Sequence, residues 1–247
     1  MKRIAIIIAS LLFVLFAFPL AFFTLVDLND FKNPMLNASR DGNTSEISRL
    51  LANGADPNTS DGFGNTPLTI AAHFGRTDAA KLLLKNGAAI NGIAGRMTPL
   101  QCAVNSEHPE TVVCLLTNGA DPNAADEYAT TPLAIAANKG NAILARLLLA
   151  AGANVEQEDD RGWRPLHIVL RSTDSSEANR FATVCTLLEF GADPNANNAG
   201  GFDDDYKHDS HVGYRQTLPN KGNTPVSIAR SNGFTEIVSE LRKHGGT

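Results

Sequence analysis

The sequence contains few of the residues from which cysteine-based or catalytic centres are built. Its three cysteines are Cys102, Cys114 and Cys185, and no Cys-x-x-Cys pair occurs in its 247 residues. An odd number of widely spaced cysteines disfavours both a disulfide framework and a zinc cluster. Neither a His-Glu-x-x-His nor a Gly-x-Ser-x-Gly motif occurs, and no carboxylates converge from matched positions. We therefore expect no enzyme activity, no catalytic residue and no cofactor.

Basic residues are also scarce. The chain has 21 Lys and Arg against 26 Asp and Glu, a net charge of −5. Binding to a phosphate backbone needs clustered Lys and Arg, so the charge balance argues against a nucleic-acid partner. Aromatic residues make up only 6%, but the apolar fraction of 43% is that of a folded protein. Its length fits one domain or one repeat array.

A long uncharged run occupies the N-terminal end. Residues 4–26 contain no charged side chain, and as a helix they would extend roughly 34 Å, enough to cross a bilayer. We expect an uncleaved membrane anchor, with a cleaved signal peptide as the alternative, followed by a short linker at 27–32. Lys2 and Arg3 precede the run and acidic residues follow it, so the positive-inside rule places the rest of the chain outside the cytoplasm, in the periplasm if the source is bacterial.

Two sequence marks recur with a period near 33 residues. A Gly-Ala pair recurs in steps of 33, 32, 33 and 39, at Gly54, Gly87, Gly119, Gly152 and Gly191. A Thr-Pro-Leu type of triplet recurs between these pairs, beginning at Thr66, Thr98, Thr131, Arg164 and Thr224. Two marks that share one period indicate a repeat architecture. The step from Arg164 to Thr224 is 60 residues; six of the extra residues lie before Gly191, and the remaining 21 form an insertion at 199–219.

Each mark has a structural meaning. Thr before Pro supplies an N-cap hydroxyl and then a residue suited to the first helical position. A leucine-rich stretch such as Leu82-Leu83-Leu84 predicts a second helix, and Gly87 suits its left-handed end. An Ala-Asp-Pro-Asn stretch then predicts a protruding turn. The predicted unit is helix, turn, helix, protruding turn.

These units resemble ankyrin repeats, with Thr-Pro-Leu opening one helix and Leu-Leu-Leu-x-x-Gly-Ala closing the next. The resemblance implies an all-α repeat solenoid that is monomeric, with protruding β-turn fingers. Six repeats are expected, at 33–58, 61–91, 93–123, 126–156, 159–195 and 221–247. Two departures stand out: Arg164 replaces the capping Thr, and Glu107 occupies the place of a helix-ending Gly. Cys102 and Cys114 align with core positions, and His167 is expected to form structural hydrogen bonds.

The resemblance implies a protein partner bound by the finger tips and the inner helices. The candidate tip residues are Phe63, Met97, Glu127, Tyr128, Asp160, Arg161 and Trp163. The candidate helix-end residues are His73, Asn105, Asn138, Lys139 and Arg171. Aromatic residues and Arg dominate interface hot spots, and the acidic residues around these rings suit a partner with a basic rim around an apolar cleft. For Trp163, packing beneath the neighbouring turn is the alternative to partner contact.

Three functions are compatible with the sequence. The first is a protein-interaction module that holds a membrane-proximal partner at the lipid surface. The second is an inhibitor or immunity-like protein that occludes an enzyme. The third is a metal-handling role for the insertion, where His208, Asp209 and His211 are weak candidate ligands, although their spacing matches no zinc or calcium motif. A partner-contacting or merely flexible loop is the alternative for this segment.

Overall fold

The computed structural model describes residues 33–93, 96–198 and 224–247. Within these ranges the chain forms twelve α-helices and no strand. The helices come in six consecutive pairs: α1 Pro34–Asp41 and α2 Thr44–Ala52, α3 Pro67–His73 and α4 Thr77–Lys85, α5 Pro99–Asn105 and α6 Pro109–Thr117, α7 Pro132–Lys139 and α8 Ala142–Ala150, α9 Pro165–Arg171 and α10 Glu177–Glu189, α11 Pro225–Ser231 and α12 Thr235–Lys243. The expected helical repeat solenoid is thereby confirmed.

The predicted anchor at 4–26, the linker at 27–32, the insertion at 199–219 and its candidate metal ligands lie outside the described residues. Among the residues that are described, none of the helices has the length and apolarity needed to span a bilayer.

The first helix of most pairs begins as the Thr-Pro pairs predict. In α3, the hydroxyl of Thr66 accepts a hydrogen bond from the amide of Thr69 at 3.2 Å, and the Thr69 hydroxyl accepts one from the amide of Thr66 at 2.7 Å. This reciprocal capping box satisfies two backbone donors that the helix leaves unpaired. Arg164 makes no such cap for α9. Its guanidinium instead pairs with Glu156 at 2.9 Å and Glu158 at 3.0 Å.

Stacking of successive pairs builds one continuous core. The first helices carry small residues such as Ala71 and Ala72, both fully buried, because each lies between the first helices of two neighbouring repeats. Leu68 and Leu83 fill the space between the layers with no exposed surface. Complete burial of one such leucine is worth roughly 2 kcal/mol relative to exposure. The repeats therefore depend on their neighbours for stability.

The three cysteines take the places expected for core and surface residues. Cys102 and Cys114 are buried, Cys185 is partly exposed, and all three are free thiols. Burial raises the pKa of Cys102 to about 12, so its thiol stays protonated. Their expected role as small core residues at positions 102 and 114 is confirmed.

Glu107 adopts the backbone conformation of the glycine that it replaces. Its φ is +58°, close to the +63° of Gly75 at the matched position. Left-handed backbone costs an L-residue free energy that glycine avoids. The Glu107 carboxylate accepts a hydrogen bond from the side-chain amide of Asn141 at 2.9 Å, a contact with the next repeat that glycine could not make.

Candidate protein-binding surface

Three protruding turns share an aspartate at their base. In each turn, one carboxylate oxygen accepts hydrogen bonds from the amides two and four residues later. For Asp61 the donors are Phe63 and Asn65, both at 2.9 Å. Asp126 and Asp159 repeat the arrangement at 2.8 to 3.0 Å. Each carboxylate thus closes the turn and fixes the backbone of the residue at its tip.

Phe63 and Tyr128 stand at two of these tips and are among the most exposed large apolar side chains. Phe63 is 53% exposed and Tyr128 is 51% exposed. Ile93, 39% exposed in the intervening turn, is a third apolar group that sequence reasoning missed. Its place directly after Asn91-Gly92, a turn-forming pair, was the available signal. Met97 is half-buried and packs on the core, so it offers less surface than expected.

Four asparagine side chains and one glutamate join successive turns to the next repeat. The side chain of Asn123 donates to the Gly152 carbonyl at 3.1 Å and accepts from the Asn154 amide at 2.7 Å. We call this series the turn ladder. Its members and their backbone partners are Asn58 with Gly87 and Ala89, Asn91 with Asp121, Asn123 with Gly152 and Asn154, Glu156 with Asp193, and Asn195 with Gly245 and Thr247. The ladder holds neighbouring turns at a fixed separation.

Trp163 does not lie at a turn tip. It is 7% exposed, and the guanidinium carbon of Arg171 lies 3.9 Å from its ring centroid. Its amide donates to Asp159 at the base of the turn, the position that Asn65 occupies in its own turn. The expectation that this ring is exposed beside Phe63 is therefore wrong. A cation–π contact with Arg171, at the end of the helix of the same repeat, covers the ring instead.

The candidate residues at the helix ends differ in exposure and bonding. Asn105 is exposed, whereas His73, Asn138, Lys139 and Arg171 are half-buried. The Asn138 side chain donates to the Asp174 carboxylate at 3.2 Å, and the Ser172 hydroxyl donates to the Asn138 carbonyl. These contacts tie the ends of α7 and α9 together. Only some of the candidate helix-end residues are therefore available to a partner.

Two histidines meet between the second and third repeats. Nδ1 of His73 lies 2.8 Å from the Ser106 hydroxyl, and Nε2 of His108 lies 3.0 Å from the His73 carbonyl oxygen. Burial, followed by the nearby charge of His108, lowers the pKa of His73. The neutral ring is therefore the form that fits this junction.

The predicted structural role of His167 agrees with its surroundings. The residue is fully buried in α9, and its Nε2 lies 3.0 Å from the Ala196 carbonyl oxygen in the following turn. A buried polar ring that pairs with buried backbone is a packing feature.

Charge is unevenly distributed along the turns. Glu127 and Asp160 are exposed, and Arg161 lies 3.9 Å from the Asp160 carboxylate. The amide of Asp160 also donates to the Tyr128 carbonyl at 3.3 Å, which brings these acidic groups beside the aromatic tip. Burial raises the pKa of Asp159 to about 6, although two amide hydrogen bonds act in the opposite direction. The exposed surface beside Tyr128 is thus predominantly acidic.

The paired helices, left-handed helix ends and protruding turns define a class of repeat protein. The family model for ankyrin repeats (three copies) matches residues 35–126 and 105–198. The chain belongs to the ankyrin repeat family.

Several curated proteins are similar to this chain. It is 31% identical over 221 residues to SH3 and multiple ankyrin repeat domains protein 2 of Homo sapiens, covering 82% of this chain and 12% of that protein. It is 30% identical over 154 residues to the transient receptor potential cation channel subfamily A member 1 of Drosophila melanogaster, covering 58% and 13%. It is 28% identical over 208 residues to the putative ankyrin repeat protein YahD of Escherichia coli strain K12, covering 83% and 92%. The chain thus spans a small part of the two animal relatives and most of the bacterial one.

Proposed function

We propose that this ankyrin array is a non-enzymatic protein-interaction module whose binding face is the edge formed by its turn tips. Ankyrin repeats in general mediate binding between proteins. The observation that carries the proposal is the exposure of Phe63, Ile93 and Tyr128 on turns that the turn ladder holds in place. Exposed aromatic groups on a preorganised backbone lose little entropy on binding, which favours affinity.

The partner's surface should be apolar at its centre and basic around it. Tyr128 and Phe63 would enter the apolar part, while Glu127 and Asp160 would face the basic rim. Opposite charges across an interface raise the association rate, and buried rings slow dissociation. Added salt should therefore slow association more than it speeds dissociation.

We also propose that the run at 4–26 tethers the array to a membrane, with the array outside the cytoplasm. Its lack of charged side chains and the basic residues before it support this placement. The linker at 27–32 would extend at most about 20 Å, so the partner would lie near the lipid surface. Export after signal cleavage is the alternative location. Protease added outside intact spheroplasts should digest the array, whereas protection would reverse the topology.

Crosslinking in the native membrane, followed by identification of the captured protein, tests the binding face. The double variant Phe63→Ala/Tyr128→Ala should capture much less of the same protein and bind it about 2 kcal/mol or more weakly. Ile143→Ala is the matched control, because Ile143 is 70% exposed on α8, away from the turns. The control should bind like the unmodified protein. Equal losses in both variants, or none in the double variant, would exclude the turn edge.

Inhibition of an enzyme is a second candidate function that uses the same face. The acidic, aromatic edge could cover a basic-rimmed active-site cleft as readily as a passive docking surface. Measurement of the captured partner's activity with and without the array separates the two functions. Unchanged activity supports a tether, and stoichiometric loss of activity supports an inhibitor.

A further inference from the structure

An open groove lies on the last described helix pair. Thr235 is the first residue of α12, and its counterpart in α4, Thr77, contacts Thr111 of the next repeat at 2.7 Å between hydroxyl oxygens. Ser239 is the counterpart of Arg146, which reaches Glu189 of the next repeat at 2.6 Å. The face of α12 with Thr235 and Ser239 therefore has the geometry that accepts a following helix. Within the described ranges, α12 packs mainly against α10 and α11.

The groove combines an apolar floor with a basic rim. It has a volume of about 630 Å³, with the half-buried side chains of Phe234 and Val238 among its lining. Arg230 from α11 and Arg242 and Lys243 from α12 surround it. Lys243 pairs with Glu240 at 2.7 Å. No ion pair with a described residue engages the exposed Arg230 or Arg242. The charged residues that line this groove are therefore all basic, in a protein whose net charge is −5.

We propose that this groove binds an acidic amphipathic helix from another protein. The corresponding faces of α4 and α8 contact a helix of the next repeat, so we expect the ligand of this groove to be an α-helix. An apolar side chain would lie over Phe234 and Val238, while carboxylates would pair with Arg230 and Arg242. Guanidinium groups bind carboxylates with two parallel hydrogen bonds, which fixes orientation as well as charge. The apolar anchor with flanking charges is a common helix-in-groove arrangement.

Charge argues against a second copy of this chain in the groove. A symmetric contact would place the same arginines against one another. A head-to-tail contact would bring up the exposed face of α2, where Arg49 holds the place of Cys114 and pairs at 2.6 Å with Glu46, which holds the place of Thr111. The symmetric contact opposes like charges, which costs free energy, and the head-to-tail contact offers Arg230 and Arg242 a carboxylate that Arg49 already neutralises. A separate acidic partner meets no such repulsion.

Selection from a displayed library of roughly 14-residue helical peptides, about 21 Å long, tests the proposal. The full chain is the target, and the variant Arg230→Gln/Arg242→Gln is the counter-target. We expect enriched peptides to carry Glu or Asp beside one large apolar residue. The most enriched peptide, made synthetically, should bind the variant roughly tenfold or more weakly, since it loses charge-assisted hydrogen bonds. Circular dichroism should show an unchanged fold, because both arginines are exposed.

Matched controls separate this groove from other surfaces. Arg49→Gln removes an exposed arginine at the opposite end of the array and should leave peptide binding unchanged, as should Phe63→Ala/Tyr128→Ala on the turn edge. Enrichment of neutral or basic peptides would overturn the proposal. The proposal would also be overturned if an unstructured polyglutamate peptide bound as tightly as the selected peptide. Dimerisation of the protein alone, abolished in Arg230→Gln/Arg242→Gln, would overturn it as well.

Discussion

Asn123 offers the sharpest test of how the turns are held together. Its side chain makes two hydrogen bonds to the next repeat, to the Gly152 carbonyl and from the Asn154 amide. A typical intramolecular hydrogen bond contributes about 1 kcal/mol net to stability. Asn123→Ala should therefore cost about 2 kcal/mol of unfolding free energy. For a chain of this size that corresponds to a decrease in Tm of roughly 4 to 8 °C.

Alanine variants of two further asparagines should lose less stability than Asn123→Ala. The described contacts of the Asn91 side chain comprise one hydrogen bond, from the Asp121 amide at 3.0 Å, so Asn91→Ala should cost about half as much. Asn53 is exposed at the end of α2, and no side-chain hydrogen bond of it is described. Asn53→Ala should thus change stability by less than about 0.5 kcal/mol. Urea unfolding of the three variants measures the order directly.

Hydrogen exchange locates the cause of the loss. In Asn123→Ala the amide of Asn154 loses its acceptor, so its exchange should quicken while that of core amides such as Leu148 follows global stability. If Asn123→Ala loses no more stability than Asn53→Ala, or if the Asn154 amide exchanges as before, the turn ladder does not stabilise the array.

Three other changes test single features of the turns and junctions. Ala129→Gly should raise stability by about 1 kcal/mol, because Ala129 has φ +56° where the matched residues are Gly64 and Gly162, and a lower melting midpoint would refute this. The pKa of Asp159 is raised to about 6 in the folded chain, so its contribution to stability is full below its ordinary pKa of about 4 and is lost as pH rises through 6. The free energy of unfolding of Asp159→Asn should therefore exceed that of the unmodified chain by more at pH 8 than at pH 5. Parallel pH profiles of the two proteins would contradict this expectation. The pKa of His73 is lowered on folding, so its contribution is present above the ordinary pKa of about 6.5 and is lost as pH falls through the lower folded value. His73→Gln should flatten that acid-side decline in urea unfolding experiments, and an unchanged decline would place its origin elsewhere.

The repeat period allowed the helices to be predicted, because capping and helix termination act over a few residues. Thr66 and Gly75 mark the bounds of α3 within one or two positions by chemistry that is local. The turn ladder was not predicted, since its contacts join groups that lie 29 to 52 residues apart. The Asn of the Ala-Asp-Pro-Asn stretch was interpreted only as a turn former.

The misplacement of Trp163 has a related cause. Alignment of the repeats places Trp163 at the base of a turn. A tryptophan beside charged residues is also typical of an interface anchor, and the sequence was interpreted in that way. Only the path of α9 shows that Arg171 covers the ring at 3.9 Å. Similarly, the lost cap at Arg164 was predicted, whereas its ion pairs with Glu156 and Glu158 depend on how the preceding turn folds back.

The last member of the turn ladder has an evolutionary consequence. Asn195 binds Gly245 and Thr247, which are 50 and 52 positions away, whereas the corresponding Asn58 contacts span 29 and 31. The two junctions therefore have the same bonds although the chain that separates their sides differs in length by 21 residues. Sequence between these repeats can be gained, lost or diversified without shifting the register of the array. This position is thus one where new segments, including whole inserted domains, could be acquired at little cost to folding.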